Sequence, residues 1–175
     1  MAGISDISKI SRLLSVYHLF LYCKEVSLQE FFLSFGVGQR TAVRDIRLLR
    51  QAGVLKARYD RTAQAFLPVS LELFPMEEQE NRTRQRYLEK LRRLCVLMRR
   101  MTEEAGGDGM SKTGLYREIF PGISDRTRQR DFKELEKLGY EARYIREFED
   151  EPGRWYYEIP SAYGLNTIPP MKWKE

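Results

Sequence analysis

The chain repeats itself. Displaced by 86 residues, Arg40 falls on Arg126, Thr41 on Thr127, Arg44 on Arg130, Asp45 on Asp131, Leu49 on Leu135 and Gly53 on Gly139. The register runs without a gap from Ser27 to Gly53. One deletion later, Ala57-Arg58-Tyr59-Asp60-Arg61 matches Ala142-Arg143-Tyr144-Ile145-Arg146. Such self-similarity implies two copies of one small unit, each able to bury its own apolar face. A chain of 175 residues is long enough for two small domains.

Within the first copy, Ile7, Ile10, Leu14, Tyr17 and Leu21 recur at helical spacing. Ser27 and Glu30 form a capping-box pattern that opens a second helix, and Gly36 ends it. A third helix is expected from Gln39 to Ala52, stopped by Gly53, followed by a hairpin over 54–69. The second copy reads alike, with a long first helix over 78–104, a break at Gly106-Gly107-Asp108-Gly109 and a short helix over 113–120. Ser124 then caps a third helix, and a hairpin over 141–159 turns near 150–153. The fold class expected is mainly α with small β-hairpins (α+β), as two tandem winged helix-turn-helix domains. Their expected bounds are 1–74 and 75–160, followed by a C-terminal tail over 161–175 in which Trp173 is a possible anchor.

At about 100° per residue, the third helix separates into two faces. Arg40, Arg44, Arg47 and Gln51 share one side, and Ala42, Ile46 and Leu49 share the other. In the second copy Arg126, Arg130, Lys133 and Lys137 oppose Phe132, Leu135 and Leu138, while Arg128 falls on the core side in the first turn. A charged helix face is ordinarily just a solvated face. Here the same sign recurs at the same positions of two copies. An α-helix fits the DNA major groove, and arginine bonds guanine O6 and N7 with two donors at once. The expected DNA contacts are Arg40, Thr41, Arg44 and Arg47 with Arg58 and Arg61 of the first hairpin. In the second copy they are Ser124, Arg126, Thr127, Arg128, Arg130 and Lys133 with Arg143 and Arg146. Asp45 and Asp131 are expected to be structural, held by a neighbouring helix or arginine, because carboxylates repel phosphate. Glu147, Glu149, Asp150 and Glu151 are unfavourable where phosphate would lie, so the second hairpin points away from DNA, or the second unit meets DNA by its helix alone, or it binds a protein.

Arg40-Thr41-Ala42-Val43-Arg44-Asp45-Ile46 and Ser124-Asp125-Arg126-Thr127-Arg128-Gln129-Arg130-Asp131-Phe132 resemble the recognition-helix signature of DeoR-type winged helices and of WYL-type regulators. The resemblance covers about 25 residues of each copy and implies a bacterial transcriptional regulator with its third helices in the major groove. The large effector domain usual in those regulators has no counterpart in this sequence, so no sensing pocket carries over.

Composition narrows the rest. The net charge of +5 matters only if it gathers on one face. Cys23 and Cys95 lie in helical apolar patterns and are expected as buried free thiols. One histidine, His18, completes no metal cluster, and no phosphate loop, nucleophile elbow or acid–base pair is visible. The expectation is therefore a non-enzymatic, cytoplasmic, nucleoid-associated binder of double-stranded DNA. It needs no cofactor or metal, shows no small-molecule ligand or membrane segment, and has homodimerisation open to it. The competing expectations are a protein-binding subunit of the chromosome-condensation accessory type and a plasmid-type replication initiator. The aromatic first helix, with Leu19, Phe20 and Tyr22 off its main stripe, favours the first of these.

Overall fold

A computed structural model describes residues 7–105 and 109–165. The glycine break at 106–108 and the tail beyond residue 165, Trp173 included, lie outside the described residues. The fold is mixed α+β, with helices and small antiparallel sheets in two compact units that divide between Cys95 and Val96.

Unit 1 contains α1 (Lys9–Tyr22), β1 (Val26–Ser27), α2 (Leu28–Phe35), α3 (Gln39–Gln51), β2 (Lys56–Asp60), β3 (Ala65–Ser70) and the first half of α4 (Arg82–Glu103). The capping box at Ser27 is complete: its hydroxyl accepts from Glu30 N–H at 3.1 Å, and Glu30 accepts from Ser27 N–H at 2.6 Å. Gly36 ends α2 at φ 64°. The core is Leu13, Leu14, Val16, Tyr17, Leu19 and Phe20 of α1 against Phe31, Phe35, Ala42, Ile46, Leu49 and Phe66. Phe31 meets Phe66 edge-on at 5.7 Å, which joins α2 to the sheet. Leu19 and Phe20, expected off the stripe, are buried, and only Tyr22 is exposed. His18 is fully buried beside Tyr22.

The strand β1 was not visible in the sequence. It pairs with β3 at Val26↔Phe66 and Ser27↔Ala65, so the expected hairpin is the larger part of a three-stranded sheet ordered β1-β3-β2. Two residues carry no readable alternation, which is why periodicity misses such a strand.

The end of α3 is pinned by its neighbours. Gly53 has φ 74°, and a Cβ there would lie 2.3 Å from both the Phe74 carbonyl oxygen and Arg92 Nη1. Arg92 Nη1 donates to the carbonyls of Ala52, Gly53 and Phe74 at 3.0, 3.2 and 2.6 Å. A cation at a helix C-terminus satisfies carbonyls the helix leaves unpaired and complements its dipole.

Unit 2 holds the second half of α4, α5 (Lys112–Ile119), α6 (Asp125–Glu136), β4 (Glu141–Ile145) and β5 (Arg154–Glu158). Its core is Leu97, Met98, Met101, Leu115, Tyr116, Phe132, Leu135, Leu138, Tyr140 and Tyr157. A bridge between Gly109 and Trp155 stands in the chain where β1 stands in unit 1. Tyr157 donates its hydroxyl to the Met110 carbonyl at 2.6 Å, and burial pushes its phenol up to about 12. Gly139, the counterpart of Gly53, has φ 99°. Neither cysteine is in a disulfide: Cys95 is buried, which pushes its thiol well above the usual range, but Cys23 follows the last turn of α1 and is only half-buried.

Two stability tests follow from these contacts. Asp45 is 1% exposed and receives both Arg12 Nε at 2.7 Å and Arg12 Nη2 at 3.0 Å, so Asp45→Ala leaves a half-buried guanidinium unpaired. It should cost about 3 kcal/mol in urea unfolding, with Arg12→Ala non-additive in the double mutant. Conversely, Gly38 caps α3 without a side-chain bond, at φ −85°, and a Cβ there would meet nothing within 4 Å. Gly38→Ser should therefore raise stability by about 0.5 kcal/mol in the same assay; a loss would show that the cap position is strained.

Candidate functional site

Each unit buries one face of its third helix and leaves the other outside. In α3, Ala42, Asp45, Ile46 and Leu49 are buried, while Arg40, Arg44, Arg47 and Arg50 are exposed. The apolar spacing sets this orientation, and the Arg12–Asp45 ion pair joins α1 to α3 behind it. Among the described residues, none of these exposed arginines has an ion-pair or hydrogen-bond partner. Arg40 and Arg44 are moreover like charges four residues apart, an arrangement that destabilises an isolated helix by about 0.2–0.5 kcal/mol. A face kept merely for solubility would intersperse acids.

Gln51 departs from the expected strip. It accepts from Arg84 Nη2 at 3.0 Å and lies 3.5 Å from Glu77, so its amide is engaged. Thr41 is half-buried, and its backbone N–H donates to the Gly38 carbonyl at 3.1 Å.

In α6, Asp131, Phe132 and Leu135 are buried, while Arg126, Arg130 and Lys133 are exposed. Asp131 accepts the Tyr116 hydroxyl at 2.7 Å, so both aspartates are tied to the helix behind them as expected. The acids of this segment face other cations. Asp125 meets Arg117 and Arg128 at 3.5 and 3.4 Å, Glu134 meets Lys137 at 3.3 Å, and Glu136 meets Lys112 at 3.5 Å. What remains is Arg126, Arg130 and Lys133 without a partner among the described residues. Arg128, by contrast, is folded back on Asp125 with its side chain 16% exposed. The Ser124 hydroxyl serves as the N-cap acceptor for Thr127 N–H at 3.3 Å, and Ser124 Oγ lies 3.2 Å from Thr127 Oγ1.

The hairpins differ more than the helices. In the first, Asp60 Oδ1 accepts from Thr62 and Ala63 N–H at 2.9 and 3.0 Å, building the turn. The Ala63 N–H, followed by that of Thr62, holds the Asp60 carboxyl below its ordinary range. Arg58 reaches Asp60 only at 3.9 Å, and Arg61 is exposed with no partner among the described residues. In the second, Arg143 bonds Glu141 through Nε at 2.9 Å and Glu158 through Nη2 at 3.1 Å. The Glu141 hydrogen bond, then the charges of Glu141 and Glu158, raise the affinity of Arg143 for its proton. Arg146 donates to the backbone carbonyls of Glu149 and Glu151. Around its acidic turn, Tyr144, Phe148 and Tyr156 are exposed.

Sequence reasoning did not single out Arg12, whose helical position gave no sign of its partner on α3. Nor does a local signal join Arg84 to the α3 face, although the echo of Arg82-Thr83-Arg84-Gln85-Arg86 with 126–130 marks a basic face of the long helix suited to a further phosphate contact. Among the described residues, no helix is long and apolar enough to cross a membrane. Compared with known proteins, the chain matches no family model, no curated protein and no solved structure at a significant level.

Proposed function

We propose that the chain binds double-stranded DNA as a tandem winged-helix protein, with α3 and α6 each entering the major groove. The observation that carries this reading is the pair of unpartnered cationic faces, Arg40, Arg44 and Arg47 on α3 and Arg126, Arg130 and Lys133 on α6. A major groove about 12 Å wide admits a helix, and arginine reads guanine while exposed cations release counterions from phosphate. The order helix, strand, helix, helix, hairpin in unit 1 suits a third helix presented outward with a hairpin beside it. A role in bacterial transcription, in the cytoplasm and with a second copy as partner, follows from the family resemblance and belongs to the same proposal. Sequence preference resides in the arginines that reach base edges, and affinity in all of them.

The two units contribute unequally. The first offers free arginines on both helix and hairpin. The second offers a cationic helix, but its hairpin arginines are committed to its own carboxylates and carbonyls. A second reading, in which this hairpin docks a protein, rests on the exposed Tyr144, Phe148 and Tyr156 beside Glu147, Glu149, Asp150 and Glu151.

Titration of a labelled duplex by fluorescence anisotropy tests the proposal. Binding should weaken about a thousandfold between 50 and 200 mM salt if six or more phosphates are contacted. Arg44→Glu with Arg130→Glu should abolish binding at an unchanged thermal midpoint, and Arg44→Glu alone should cost more than Arg130→Glu alone. Absent or salt-insensitive binding by the wild type would sink the reading.

A further inference from the structure

Beside α3 in unit 1 runs an open groove of about 840 Å³ that the third-helix face alone does not explain. Lys9 of α1, Arg44 and Arg47 of α3, and Thr83, Arg84 and Tyr87 of α4 line it, and among the described residues no acidic residue is part of the lining. Cations from separate helices thus converge on one concavity, with Glu77 set behind it on Gln51. Asn81 Oδ1 accepts Arg84 N–H at 3.0 Å and caps the helix, which fixes where Arg84 leaves the backbone. Gln51 Oε1 then takes Arg84 Nη2 at 3.0 Å, holding the guanidinium against α3 without cancelling its charge. Lys9 Nζ lies 5.4 Å from the centre of the Tyr87 ring. The Tyr87 hydroxyl is buried with no hydrogen-bond partner among the described residues, which costs free energy where it stands.

Along α6 a smaller pocket of about 160 Å³ is lined by Glu136 together with Lys112, Arg128 and Lys133, so a carboxylate stands among its cations. The groove beside α3 belongs to unit 1 and is walled by the segment that follows its hairpin.

The geometry points to this groove as a seat for the phosphodiester backbone of the duplex, with Arg84 as a sequence-independent phosphate ligand alongside the α3 helix. The inference rests on the duplex-binding reading and adds to it a wall that no third-helix signature contains. A row of cations spread over several helices suits a strand of evenly spaced phosphates, and Leu48 and Tyr87 supply apolar surface for the sugars between them. Phosphate contacts of this kind fix register and orientation and carry no base preference.

The test is the salt dependence of binding to two labelled duplexes of unrelated sequence, with the full chain and with Arg84→Ala, Arg84→Lys and Gln51→Ala. Arg84→Ala should lower the slope of log affinity against log salt by about 0.9 and weaken both duplexes by the same factor. Arg84→Lys should keep the slope because it keeps the charge. Gln51→Ala should keep it too, because it removes only the tether. Wild-type binding with an unchanged Arg84→Ala slope overturns the groove assignment and leaves the duplex reading standing. A wild type that binds neither duplex overturns both. In a competition arm, inorganic phosphate replaces chloride at equal ionic strength. Displacement of wild type but not of Arg84→Ala would assign the groove to free phosphate compounds and overturn the backbone assignment.

Discussion

Asp45 sits on the cationic helix of unit 1 yet is 1% exposed, held by both donors of Arg12. Removing two charges from water costs several kcal/mol per ion, and only close bidentate geometry with further support offsets it. That requirement is what couples α1 to α3 at one rotational setting. If α3 turned by one residue, about 100°, the carboxylate would leave Arg12 and the arginines would turn toward the core. In unit 2 the Tyr116 hydroxyl donates to Asp131 at the homologous position. A buried aspartate anchored from a neighbouring helix thus recurs in the two copies, and each copy presents a cationic face.

The balance of charge then decides what those faces can do. The net charge of +5 is modest, and by itself it says little about a partner. What distinguishes the molecule is the distribution of its acids. On α6 the carboxylates pair with Arg117, Arg128, Lys137 and Lys112, so among the described residues Arg126, Arg130 and Lys133 are left without counter-charges. On the second hairpin the pairing goes the other way, and Arg143 and Arg146 are satisfied from within. An arginine already bonded to two carboxylates must give them up to take a phosphate, which cancels most of the gain. Residues matched by the repeat, such as Arg58 and Arg143, therefore differ in availability.

Much of this was legible in the sequence because it depends on local spacing. Helix starts at Ser27 and Ser124, stops at Gly36, Gly53 and Gly139, and the two faces of α3 and α6 all follow from periodicity and capping chemistry. The structural role of the aspartates was readable from their place at the edge of the core face and from the repulsion between carboxylate and phosphate. The short strand β1 was not, since two residues hold no period. Nor were the partners: Arg12 with Asp45, Arg92 with the end of α3, and Arg84 with Gln51 are 33, 40 and 33 residues apart, and no local rule connects residues at such separations. Ser124 and Arg128 are instead engaged locally, each three residues from its partner: the one caps α6 through Thr127 N–H and the other folds onto Asp125.

The central claim is that arginines of the third helices reach base edges in the major groove. Dimethyl sulfate footprinting of a bound duplex tests it most directly, because the reagent attacks guanine N7 in the major groove and adenine N3 in the minor groove. Protection of guanine N7, lost in part with Arg44→Glu and in part with Arg130→Glu, is the expected result. Protection confined to adenine N3, or a bound duplex with every guanine N7 still reactive, would contradict it.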